Sequence, residues 1–156
     1  FNKHIENFLI NISKKNNCDY KIALHPKSLN KKNYFKLSKK KCFLKQTPEL
    51  IKNCKYVICH YSTAVSFAVL FKKPIISLTS KELDNVRWGG LIRSMSKHLN
   101  TPLFTLEKNN QNLKLINKYD KKSYKAYLNN YVKHPKSSNL NTWEDLINKL
   151  NTDYEK

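Results

Sequence analysis

Segment 60–63, which reads His-Tyr-Ser-Thr, combines residue types that can bind a phosphate. It comes directly after the apolar stretch 57–59, which is predicted to be a strand, and before the apolar stretch 64–71, which is predicted to be a helix. At such a turn Ser62 and Thr63 would offer two hydroxyls and free backbone amides at the positive end of a helix. That combination predicts a phosphate site.

Segment 25–28, which reads His-Pro-Lys-Ser, is a second candidate because it follows another apolar stretch, 22–24. His25 can donate a hydrogen bond or a proton to a phosphate as that phosphate departs. Lys27 and His60 can add positive charge. Ligands of open parallel sheets bind beyond the carboxyl ends of the strands, so both segments are expected at one crevice.

Each candidate also has a simpler interpretation. Ser62 and Thr63 can merely cap a helix, and His25 can be an ordinary turn residue before a proline. The string His-Pro-Lys-Ser recurs at 134–137, where it follows no predicted strand and is interpreted as a surface linker. Glu82, just past the apolar stretch 75–78, can reach a ribose or a base, or can simply be a favourable carboxylate in a first helical turn.

The elements that must position these residues alternate along the chain. Apolar residues at helical spacing predict an amphipathic helix over the first dozen residues, ended by Asn16 and Asn17. Thr47 is predicted to be an N-cap with Pro48 at the first helical position, and Ser80 to cap a further helix. The predicted strands are 20–24, 42–44, 56–60, 75–78 and 103–106.

Later segments are predicted from the same kinds of signal. Gly89 and Gly90, the only glycines of the chain, are predicted to mark a loop. Two apolar stripes predict C-terminal helices, one at residues 124, 127, 128 and 131 and the other at residues 143, 146, 147 and 150.

This alternation predicts one α/β domain, with a Rossmann-like, mainly parallel sheet and helices on both faces. Residues 1–120 would form the α/β core and residues 121–156 the C-terminal helices. The strand-helix-strand order from 57 to 78 predicts that its two strands are parallel. The helix after Ser62 is almost wholly apolar, so we expect it to be nearly inaccessible to solvent.

The formal net charge of +19 comes from 30 basic and 11 acidic residues, yet only Arg87 and Arg93 are arginines. Lysine lacks the planar guanidinium group with which arginine makes paired hydrogen bonds to bases and phosphates. The lysines are also scattered along the chain. A nucleic-acid partner is therefore not expected. The excess positive charge favours an anionic ligand, an anionic acceptor or peripheral association with an anionic membrane surface.

The four cysteines form no CxxC pair and, with the histidines, no zinc-finger spacing, so no metal is expected. We interpret them as reduced thiols of a cytoplasmic protein. No apolar run approaches the roughly 20 residues that span a bilayer.

The order of these features resembles the C-terminal domain of GT-B glycosyltransferases. It is similar to that of bacterial capsule and lipooligosaccharide enzymes, including sialyltransferases, Kdo transferases and CDP-glycerol polymer transferases. Those families place a His-Pro motif after one strand, here at 25–26, and a Ser-Ser or Ser-Thr pair before an apolar helix, here at 62–63. A Lys-Pro and an apolar strand follow, here at 73–76.

The resemblance implies that His25 is the catalytic residue that contacts the donor phosphate or a sugar carboxylate. It implies that Ser62 and Thr63 bind the phosphate of a cytidine nucleotide, whose sugar passes with inversion to a saccharide or lipid-linked acceptor without a cofactor. The catalytic base of these families belongs to an N-terminal domain. Since the chain begins at Phe1, we expect that domain upstream, and we expect these 156 residues to bind a donor without turning it over.

One departure from the family pattern concerns the nucleotide. Many enzymes of this fold that use UDP- or ADP-sugars carry a glutamate four or five residues into the helix, where this chain has Ser66 and Phe67. Its absence favours a CMP- or CDP-activated donor and disfavours a sugar-nucleotide epimerase of the same fold, which is a rival function. A basic nucleic-acid-binding domain and a protein-interaction domain without catalytic activity are two further rivals.

Overall fold

A computed structural model describes residues 2–25, 39–107 and 118–133. The helices are α1 (Asn2–Lys15), α2 (Thr47–Asn53), α3 (Val65–Leu70), α4 (Lys81–Asp84), α5 (Arg87–Leu99) and α6 (Lys121–Tyr127). The strands are β1 (Ile22–Leu24), β2 (Cys42–Leu44), β3 (Val57–Cys59), β4 (Ile75–Thr79) and β5 (Leu103–Thr105). A short 3-10 helix, Lys39–Lys41, precedes β2, and a π-helical turn, Leu128–Val132, continues α6.

All the described strands pair in parallel. β1 pairs with β2, and β3, β4 and β5 form a three-stranded sheet in that order. Val57 of β3 lies opposite Ile75 of β4, so the predicted parallel pairing of these two strands is confirmed. Parallel neighbours need a crossover connection, and α3 supplies it between β3 and β4. The chain is therefore an α/β protein with parallel strands in two small sheets.

Helices cover both faces of the three-stranded sheet, because successive side chains of a strand point to opposite faces. Ile75 belongs to a buried cluster with residues of α2, α3, α5 and α6. Its neighbour Ile76 packs instead with Ile12 of α1. Burial of Ile75 and Ile76, each about 3% exposed, fixes the register of β4 between these two layers.

The prediction of a loop at Gly89 and Gly90 is wrong, since both lie in the first turn of α5. Gly89 is needed there for its small volume: a Cβ at this position would lie 2.6 Å from the Cα of Asp84. A Cβ on Gly90 would meet nothing within 4 Å. The glycine at 89 thus permits the close approach of α5 to α4.

The expectation that the helix after Ser62 is nearly inaccessible is also wrong. Only one side of α3 faces the sheet, and this side carries the buried residues Val65, Ala68 and Val69. Phe67 and Leu70, on the other side, are 37% and 48% exposed. A helix that forms the outer layer of a small α/β protein keeps one face towards solvent whatever its composition.

Helix starts are predicted with mixed success. Ser80 caps α4 as predicted, because its Oγ accepts a hydrogen bond from the Leu83 N–H at 3.1 Å. Thr47 is not an N-cap but the first residue of α2, preceded by Gln46. The repeated segment at 134–137 and the apolar stripe at 143–150 lie outside the described residues. Among the helices that the structure describes, none is long and apolar enough to cross a membrane.

Candidate functional site

Beyond the carboxyl end of β3, the side chain of His60 bonds to β4 where a further strand residue would bond through its backbone. β3 ends at Cys59, opposite Ser77, whereas β4 continues to Thr79. Ser77 and Thr79 bond through their backbones to the β5 side, so the Leu78 carbonyl between them faces the β3 side. His60 Nδ1 donates a hydrogen bond to that carbonyl at 3.1 Å.

This hydrogen bond determines the tautomer of His60. A carbonyl oxygen only accepts, so Nδ1 must carry a proton, and in the neutral ring Nε2 then carries the lone pair. The ring is half-buried against the strand that protrudes beyond it. His60 is therefore held in one orientation directly before the exposed residues 61–63.

The turn at Ser62 and Thr63 retains hydrogen-bond donors. The Oγ of Ser62 accepts from the Ala64 N–H at 3.2 Å, which leaves its hydroxyl hydrogen available to donate. The Ser62 and Thr63 carbonyls accept from the Val65 and Ser66 N–H groups, each at 3.1 Å. Among the described residues no hydrogen bond engages the Ser62 or Thr63 N–H or the Thr63 hydroxyl. α3 itself begins only at Val65, so Ser62 and Thr63 form the turn before the helix.

The corresponding turn after β4 has its donors occupied by the protein. Ser80 Oγ accepts from Leu83, and the Glu107 carboxylate accepts from the Lys81 N–H at 3.1 and 3.2 Å. Glu82 is exposed in the first turn of α4, as the simpler interpretation of this residue predicts. The pattern missed Glu107, although its position two residues past β5 is itself a signal for a group at the strand ends.

A buried threonine and a charge pair hold α4 and α5 against the end of β4. Thr79 Oγ1 donates to the Asp84 carboxylate at 2.7 Å, and Arg93 contacts the same oxygen at 2.8 Å. These contacts, the Thr79 hydrogen bond first, lower the pKa of Asp84 below its ordinary value. Asp84 is therefore an ionised residue with a structural role. Its Cα is also the atom that a Cβ on Gly89 would meet at the shortest distance, so its position sets how closely α5 approaches α4.

His25 lies exposed at the carboxyl end of β1, in the other sheet. α2 contacts both β1 and α3, so it links the strand before His25 to the helix after Ser62. Lys27 lies outside the described residues. The structure thus brings His60, Ser62 and Thr63 together in one segment and places His25 at the end of a separate parallel pair.

Cys59, the last residue of β3, is chemically quiet. It packs against the cluster around Val65 and Ile75, and this burial raises its thiol pKa to about 12. The thiol stays protonated and is a poor nucleophile. Within the described ranges no group of three or more histidine, cysteine or acidic side chains has the arrangement of a metal site.

A surface concavity of about 610 Å³ lies along α5 and is lined by Arg93, Ser94, Lys97 and His98. Two of its polar groups already have partners, since Arg93 pairs with Asp84 and His98 Nδ1 donates to the Ser94 carbonyl at 2.8 Å. The candidate residues Tyr61, Ser62 and Thr63 are exposed and do not line this concavity.

No protein-family model, no curated protein and no solved structure matches this chain. Within the ranges that the structure describes, the turn beyond β3 offers hydrogen-bond donors that no acceptor engages.

Proposed function

We propose that this chain is the donor-binding domain of a glycosyltransferase of bacterial surface-polysaccharide synthesis, with a Rossmann-like sheet that forms one half of a GT-B fold. The donor is a CMP- or CDP-activated sugar. The observation that carries this proposal is the set of donors at Ser62 and Thr63, directly beyond the carboxyl end of a parallel strand, that no acceptor in the described part of the chain engages. Ligands of open α/β sheets bind at this edge.

The chemistry of the turn suits a phosphate. Two backbone N–H groups and two hydroxyls donate within two residues, and the turn has no carboxylate of its own that would repel an anion. The chain's net charge of +19 adds long-range attraction for an anionic nucleotide. Ser62 and Thr63 hold the phosphate, and His60 contributes a ring of fixed orientation beside it.

His25 acts on the leaving group in this proposal. The acceptor oxygen forms a bond to the anomeric carbon while the bond from that carbon to the donor phosphate breaks, and the electron pair of that bond passes to the phosphate oxygen. His25 donates a hydrogen bond or proton to the departing phosphate. The catalytic base that receives the acceptor's proton belongs to an N-terminal domain.

The region where UDP-sugar enzymes bind the ribose supports a different nucleotide here. Ser66 lies 3.3 Å, Oγ to hydroxyl oxygen, from Tyr127, and the neighbouring Phe67 is apolar. Neither side chain supplies a carboxylate for the two ribose hydroxyls. In the families that the chain resembles, this carboxylate accompanies UDP- and ADP-sugar donors, so the residues at 66 and 67 favour a cytidine-activated donor by comparison with that pattern.

Backbone amide NMR tests the proposal directly. Titration with CMP is expected to shift the Ser62 and Thr63 resonances, with a weaker response to UMP. The Lys81 and Leu83 amides are the internal control, because Glu107 and Ser80 already occupy them.

The net charge also supports a second candidate, nucleic-acid binding, and the same sample decides between the two. Tight binding of an oligonucleotide that weakens steeply with salt, without any response to CMP, would support that candidate and overturn the first. Shifts confined to the segment after β3 with free CMP support donor binding.

A further inference from the structure

Two large aromatic side chains meet at the edge of the sheet where the donor is proposed to bind. Tyr61 lies between His60 and Ser62, and Trp88 lies in the first turn of α5. Their ring centroids are 5.9 Å apart and their planes are inclined at 44°. Tyr61 is 47% and Trp88 52% exposed, an unusual arrangement because tryptophan is among the most heavily buried residues on average.

The backbones that carry both rings are anchored to the protruding end of β4. The residue before Tyr61 is tied to the Leu78 carbonyl through the His60 ring. The helix that carries Trp88 is tied to Thr79 through Asp84 and Arg93. Two independent connections thus converge on one strand end, so the backbones that carry the two rings are held close to each other.

We infer that Tyr61 and Trp88 form a stacking platform for the base of the donor nucleotide, an inference that rests on the proposed function. Tyr61 is the chain neighbour of Ser62, so a ligand whose phosphate reaches the Ser62 and Thr63 donors has its remaining groups beside this ring. A flat heteroaromatic base offers a π-face that an aromatic side chain can stack upon. The base is the part of the donor that matches two half-exposed aromatic faces.

The platform has a consequence for selectivity. Stacking on an aromatic face tolerates every base, because each base has a π-face. Tyr61 and Trp88 therefore supply affinity for the base, and any preference for cytosine arises from other contacts.

The test compares a nucleotide with the same phosphate lacking a base. CMP is expected to bind about 5- to 140-fold more tightly than ribose 5-phosphate, which corresponds to the usual strength of one stacked base. Trp88→Ala and Tyr61→Ala should each remove most of this difference while leaving ribose 5-phosphate binding unchanged. Trp88→Phe should restore much of it. Phe71→Ala is the matched control, since it removes a partly exposed aromatic at the far end of α3.

Tryptophan fluorescence gives a second readout. In a Trp143→Phe background Trp88 is the single tryptophan, and CMP should quench its emission while ribose 5-phosphate should not. If CMP and ribose 5-phosphate bind equally well, or if Trp88→Ala leaves CMP affinity intact, the platform is refuted and the phosphate site stands. If neither compound binds, the proposed function itself fails.

Discussion

The turns that follow β3 and β4 each contain a serine but differ in whether the protein supplies acceptors for their hydrogen-bond donors. Both leave a parallel strand at the same edge of the sheet and place a serine before a short helix. After β4, Ser80 and Glu107 accept hydrogen bonds from the first amides of α4. After β3, Ser62 accepts one bond and the donors of Ser62 and Thr63 are left without acceptors among the described residues.

The difference shows what distinguishes a structural cap from a candidate binding site. A cap is complete when the protein supplies its own acceptor, and a carboxylate such as Glu107 also repels an incoming anion. No carboxylate of the described residues accepts from the turn after β3, so an external phosphate can take that place. A serine before a helix is therefore informative only together with its acceptors and charges.

The largest effect is expected at the close contact that supports the occupied turn. Gly89→Ala places a Cβ 2.6 Å from the Asp84 Cα and 2.7 Å from the Leu83 carbonyl oxygen, so α5 must shift. Gly90→Ala meets no obstacle and should stabilise the helix by up to about 1 kcal/mol. The two variants should differ in free energy of unfolding by about 1–3 kcal/mol. Chemical denaturation measures this difference, and equal stabilities would contradict the packing described for α4 and α5.

The next effect concerns binding at the open turn. Replacing both Ser62 and Thr63 by alanine should weaken CMP binding more than tenfold, which is at least about 1.4 kcal/mol. The free energy of unfolding should fall by less than about 1 kcal/mol, because both residues are exposed and the Ser62 hydrogen bond to the Ala64 N–H is the contact that is lost. Calorimetric titration with melting curves checks both quantities. If the folded double variant binds CMP as tightly as the wild type does, Ser62 and Thr63 form an ordinary turn and not a phosphate site.

The reciprocal substitution at the occupied turn should affect stability alone. Ser80→Ala removes the acceptor of the Leu83 N–H and should cost about 1 kcal/mol, within the usual range for N-caps. CMP affinity should remain that of the wild type, as judged by the same titration. Loss of CMP binding with intact stability would show that the two turns have been assigned the wrong way round.

The smallest effect is a pH dependence at Asp84. Its pKa is lowered in the folded protein, chiefly by the Thr79 hydrogen bond and then by Arg93. The stabilisation is therefore complete above the ordinary carboxyl pKa of 3.8 and is lost as the pH falls through the lower folded value. Asp84→Asn should cost about 0.5–1 kcal/mol at neutral pH. Denaturation at several pH values should show this gap closing in acid, and a gap independent of pH would exclude the charge as its cause.

Local signals were sufficient for much of the fold. The strand-helix-strand order around α3 predicted the parallel pairing of β3 with β4, because a connection that contains a helix and is a dozen or more residues long is typical of a parallel crossover. The Ser80 cap was predictable because a cap bonds within three residues. The position of His60 directly beyond β3 followed from the apolar stretch before it.

Features that depend on distant contacts could not be read in the same way. Gly89 suggested a loop because glycine is common there, whereas its role is to leave room for Asp84 across the α4–α5 contact. The hydrogen bond from the His60 ring to the Leu78 carbonyl depends on β4 extending two residues further than β3. The Tyr61–Trp88 contact and the bond from Lys81 to Glu107 join separate strand ends, so no local spacing encodes them.

The partly buried Cys59 thiol allows the kinetics of the candidate site to be measured. Its side chain packs, partly buried, against the cluster under α3, and this burial raises the pKa of the thiol to about 12, so alkylation should be slow while α3 lies on the sheet and faster when the helix separates from it. In a protein whose other three cysteines are replaced by serine, the labelling rate would measure how often α3 separates from the sheet. A ligand that bridges the end of β3 and the start of α3 would slow the labelling in proportion to its occupancy.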